Sequence, residues 1–234
     1  MSTETTDNSV EIVVATARKH ASIAALVMAL CFCVHAVNGT FIERRFLGFE
    51  KYTDYADVDK LGHALGSWPW LASGTAHLIT GVAVVVLGTN LARIVGPTSR
   101  TLAEYLRYAT LVAAVGFTML GVADVQGSET MHLIIDQNPE LRREAYLVLG
   151  LVVPVANGIA IMGLGWVILL FSRYARRDGT GFATWYVVLS YIAGVSGLVL
   201  GFAYIPAYLF LFLGWLASTA ILLRPGRDVA SATA

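Results

Sequence analysis

Histidine, asparagine and aspartate, the side chains best suited to ligating a metal or handling a proton, fall inside long apolar stretches of this chain. Along residues 20–42, Cys31, His35 and Asn38 share one helical face by three-and-four spacing. Along 68–92, His77 shares a face with Thr80 and Gly81. At about 1.5 Å of rise per residue, His35 lies roughly 10 Å and His77 roughly 13 Å below the same-side ends of their runs. The two imidazoles are therefore expected at matching depth on neighbouring antiparallel helices.

That placement has several chemical readings. A b-type haem takes one axial imidazole from each of two facing helices, and small residues such as Gly39, Gly74 and Gly81 would leave room for a porphyrin. On this reading Asn38 and Asn157 line the cofactor. A bare copper, zinc or iron ion is the second reading, with His35 and His77 joined by Asp124, His63 or His132. The default stands beside both: an intramembrane histidine usually makes interhelical hydrogen bonds and holds no cofactor. Asp124 closes the run 105–124, either at headgroup level or turned inward as a base or ligand. Asn157 follows Pro154, whose freed helical carbonyl an amide side chain or a water could satisfy. His63 and His132 lie in loop segments where ordinary surface roles are common, and Asp59-x-x-x-His63 is a weak ligand pattern. Cys31 and Cys33 are two apart on one helix, too constrained to pair, and read as packing residues.

The elements that must position these groups are membrane spans. Of 234 residues, 56% are hydrophobic and only 14% charged, with a mean hydropathy of +0.66. This is the composition of a chain dissolved in lipid. Six runs, 20–42, 68–92, 105–124, 146–171, 185–202 and 205–223, approach the ~20 residues that cross a bilayer. The expected fold is an all-α polytopic bundle of about six transmembrane helices. Residues 18–224 form the span domain, 1–17 and 225–234 are disordered cytoplasmic tails, and 43–67 and 125–145 are outer loops holding short helices. The last two runs form a tight hairpin, or one long kinked helix, around Tyr204-Ile205-Pro206.

Basic residues set the orientation. With the N-terminus inside, Arg18, Lys19, Arg93, Arg100, Arg107, Arg173, Arg176, Arg177, Arg224 and Arg227 are cytoplasmic, and the other six of the 16 are not. Both termini are then cytoplasmic, in a multi-pass protein of the cell (inner) membrane. A net charge of zero gives no field for nucleic acid, so the expected partners are the bilayer, other membrane subunits or further copies of this chain.

Gly74, Gly81 and Gly88 recur every seven residues, and Gly197 and Gly201 form a G-x-x-x-G, which points to close helix packing or to a flat cofactor against a small-residue face. Trp68, Trp70, Tyr105, Tyr146 and Trp185 flank the runs as interface anchors. No lysine lies within a run, which excludes a retinal Schiff base. A voltage-sensing arginine series and a nucleotide-binding glycine loop are also missing. No catalytic set can be assigned by spacing. The functional expectation is a membrane redox or metal component carrying haem b or copper, with a non-catalytic accessory subunit and a small-solute transporter as competitors.

Overall fold

The computed structural model describes residues 3–42, 45, 48, 57–177, 182–203 and 207–225. They form eight α-helices: α1 (Thr3–Val37), α2 (Val58–Ala64), α3 (Trp68–Val95), α4 (Arg100–Val122), α5 (Ser128–Gln137), α6 (Arg142–Arg177), α7 (Thr184–Ala203) and α8 (Ala207–Leu222). Among the described residues, four stretches are long and apolar enough to cross a membrane: Glu11–Val37, Trp68–Val95, Arg100–Gln137 and Pro139–Arg177. Thr184–Val199 and Tyr208–Leu222 are shorter apolar helices. The all-α, multi-span character expected from composition is therefore present.

The six long helices form a ring in which each packs on the next in sequence and α8 returns to α1. A single apolar core runs through it, with Met28, Leu87, Leu106, Leu164, Ile168 and Trp215 fully buried. In α7 and α8, Tyr186 pairs with Thr219 at 2.8 Å, and Trp215 Nε1 donates to Ser190 Oγ at 3.0 Å. Partners that descend in one helix as they rise in the other make these two antiparallel neighbours, a hairpin and not one kinked helix. The turn at Tyr204-Ile205-Pro206 lies outside the described residues, as do Phe46, Leu47 and the chain from 226 onward.

Boundaries shift where cooperativity outweighs local polarity. The first helix extends ahead of the expected run 20–42 and begins at Thr3, because extending an existing helix avoids the unfavourable nucleation step. The loop 125–145 holds α5 and a short 3-10 turn at Pro139–Leu141. The loop 43–67 holds α2, capped by the Asp57 side chain, which accepts from the amides of Asp59 and Lys60. These short helices sit over a second apolar cluster of Leu61, Leu65, Trp70, Tyr146 and Leu149. Trp70 and Tyr146 are therefore buried packing residues and not interface anchors, whereas Trp68, Tyr105 and Trp185 are more than half exposed.

The glycine stripe of α3 packs against α4. A Cβ at Gly81 would lie 2.7 Å from Thr118 Oγ1, and one at Gly88 would collide with the Thr110 side chain. That face is filled by helix-on-helix contact. Gly88→Val should lower the unfolding free energy by about 1–3 kcal/mol through overpacking. Gly150→Val, where an added Cβ meets nothing within 4 Å, should leave it unchanged. Thermal unfolding of the two variants in the same detergent makes the comparison.

Candidate functional site

The site is assembled from α1, α3 and the turn that follows α4. Helix α4 ends at Val122 and the chain passes into a wider π-helical turn, Ala123–Gly127, before α5. That turn rotates Asp124 inward, and only 4% of the residue remains exposed. Gly74 makes the inward turn possible: a Cβ there would stand 2.7 Å from Asp124 Cβ and 2.9 Å from Val125 Cγ2. One turn further along α3, His77 meets the carboxylate, with Nδ1 3.0 Å from Asp124 Oδ2. Ser128 Oγ donates to the Asp124 backbone carbonyl at 2.6 Å and supports the widened turn.

The His35 ring lies against that of His77, with centroids 4.7 Å apart and planes inclined at 52°. The matched depth expected from the sequence thus becomes direct contact. His35 Nδ1 is buried without a hydrogen-bond partner, as are Ser67 Oγ and Trp70 Nε1 near the start of α3. Both imidazoles border a cavity of ≈ 20 Å3 that Cys31, Thr80, Asn157 and Tyr208 also line. Such a volume holds about one water molecule or a single ion.

No haem pocket is evident in this arrangement. A porphyrin iron ligated on both faces keeps its two imidazoles on opposite sides of the macrocycle, whereas here the rings touch. Among the described residues, no group of three or more His, Cys, Asp or Glu side chains is arranged as a metal cage.

The remaining candidates divide. Asn157 borders the cavity, and its Nδ2 is 3.5 Å from the Tyr208 hydroxyl, so the amide reaches across to α8 instead of turning back to its own helix below Pro154. Asn38 turns away from the cavity, donating to the Pro69 carbonyl at 2.8 Å and contacting Ser73 Oγ at 3.0 Å. It ties the end of α1 to the first turn of α3, which fixes the register of the two histidines. His63 is exposed on α2. His132 rests its Nε2 3.3 Å from the Leu65 carbonyl and joins the short helices. Asp59 pairs with Arg142 at 3.6 Å. Neither His63 nor His132 borders the cavity.

No protein-family model, curated protein or solved structure significantly matches this chain. With Asp124 ionised, His77 Nδ1 carries the proton and its Nε2 keeps a free lone pair, the arrangement that directs an imidazole toward a ligand. Cys31, expected as a packing residue, lines the cavity. Its i, i+4 spacing with His35 is the signal in the sequence that places it there.

The Asp124 contact should be visible in nitrogen-15 spectra of the histidines. The hydrogen-bonded Nδ1–H signal of His77 should disappear in Asp124→Ala and shift in Gly74→Ala. It should persist in Ser73→Ala, which touches only the Asn38 tie. Asp124→Ala should also cost about 1–3 kcal/mol, because His77 is left with an unsatisfied buried nitrogen.

Proposed function

We propose that this chain is the metal-holding component of a membrane redox system, with one transition-metal ion of the copper class bound at His35 and His77. The observation that carries the reading is the buried Asp124 carboxylate on His77 Nδ1, the outer-shell partner that metal-ligating histidines ordinarily have. A second imidazole in ring contact and the Cys31 thiol on the same cavity supply a borderline-to-soft donor set, which suits copper before magnesium or calcium. We read the protein as crossing the cell (inner) membrane six times with both termini cytoplasmic, on the strength of the basic residues grouped at one end.

The accessory-subunit reading has one observation in its favour: the described side chains form no three-ligand cage. Transport is less well supported. Toward the basic end Asn90 Nδ2 and Ser172 Oγ turn back on the Val86 and Ile168 carbonyls of their own helices, and Tyr186 with Thr219 and Ser22 with the Ala220 carbonyl pair between helices. None of these groups borders the histidine cavity.

Metal analysis and an absorption spectrum of the purified protein, oxidised and reduced, test the proposal. Wild type should hold about one equivalent of copper after loading, and His35→Ala and His77→Ala should hold none while eluting as wild type. Asp124→Asn should weaken the affinity about 10–100-fold. A wild-type protein that stays metal-free under copper and zinc loading refutes the metal site and leaves the accessory subunit. A sharp reduced band in the visible region identifies haem instead and requires the two rings to separate.

A further inference from the structure

A second candidate site lies at the opposite end of the bundle, where α6 ends and α7 begins. Arg173, Arg176 and Arg177 fall on one face by three-and-four spacing. All three are exposed, while Phe171, Ser172 and Ala175 face the core. With Tyr191 of α7 they border an open groove of ≈ 520 Å3. Among the described residues, no carboxylate pairs with these arginines. Three positive charges against the one negative charge of Asp178 leave residues 173–178 cationic in sequence as well.

Depth decides what such a groove can take. Arg177 is the last residue of α6, and Tyr191 stands seven residues into α7, about 10 Å along it. The groove therefore spans the level at which hydrocarbon gives way to headgroups. Around and beyond Tyr191 the exposed face of α7 is apolar, with Val188, Ile192 and Val195 each about half exposed. Guanidinium groups match a phosphate bidentately, and an apolar stripe leading away from them matches acyl chains.

We infer that this groove binds the phosphate headgroup of an anionic diacyl phospholipid, with its acyl chains lying along Val188, Ile192 and Val195. The site is independent of the histidine pair and of the metal reading. Lipid held there bridges α6 and α7 and clamps the α7–α8 hairpin to the rest of the ring.

The test uses the full chain in nanodiscs of phosphatidylcholine with and without phosphatidylglycerol, read by native mass spectrometry of the retained lipid and by thermal unfolding. Phosphatidylglycerol should be retained in preference to phosphatidylcholine and should raise the unfolding temperature. Arg176→Gln should lower the preference about fivefold, the effect of one basic residue at an anionic surface. Replacing all three arginines with glutamine should abolish it. Arg107→Gln removes an exposed charge from the same end of the bundle but not from the groove and should leave the preference intact. Equal retention of the two lipids overturns the site. An Arg107→Gln effect as large as that of Arg176→Gln also overturns it, because general charge would then be responsible. Complete displacement of phosphatidylglycerol by millimolar inorganic phosphate overturns the lipid assignment in favour of a free anion.

Discussion

A carboxylate in an apolar helix bundle must find a partner, and the 3.0 Å contact between Asp124 and His77 organises one end of this protein. Isolated, either group would be expensive inside a membrane. Together they satisfy each other, provided α3 and α4 approach closely enough and the chain after Val122 turns inward. Gly74 supplies the approach and the π-helical turn at Ala123–Gly127 supplies the rotation. The extra residue in that turn also redirects the chain into α5, so one polar contact is coupled to the placement of the short helices.

The rest of the ring is held by a different force. Lipid is as apolar as the core, so burying leucine gives the helices little reason to associate; close packing between small residues does. Gly81 against Thr118, Gly88 against Thr110, and Gly165 against the α7 backbone near Gly194 and Gly197 are such contacts. The polar groups among them are mostly satisfied within one helix, as Thr80 is by the Ala76 carbonyl and Thr110 by that of Leu106. Interhelical polar contacts are concentrated at the histidine pair, at Asn38, and in the Tyr186–Thr219 and Trp215–Ser190 pairs.

The two ends of the bundle consequently differ in chemistry. One carries the short helices, a small polar cavity and the imidazoles. The other has its buried polar groups paired, as Tyr186 is with Thr219, and is cationic at its rim, where Arg173, Arg176 and Arg177 are exposed. A small polar cavity thus lies toward one end and an arginine-lined groove at the other.

Much of this was legible in the residues. Length and hydropathy determine that the chain is a multi-span helical bundle, because few other structures satisfy backbone polar groups in lipid. Helical periodicity and rise determine that His35 and His77 share a depth, because both are properties of a single helix. Whether the rings meet depends on the rotation of α1 against α3, which the Asn38 contact with Pro69 and Ser73 sets. No single-helix pattern contains that rotation. The direction of Asp124 depends on a π-helical turn and on the absence of a Cβ at Gly74, fifty residues away in sequence. The separation of His63 and His132 from the cavity likewise follows from how the short helices dock on Leu61, Trp70 and Tyr146. The sequence alone determined the solvent, the helices and the depth of the candidate groups. Only the tertiary structure decided which of them touch, because side-chain contact between helices depends on rotation and approach distance, and both are set by packing between segments distant in the chain.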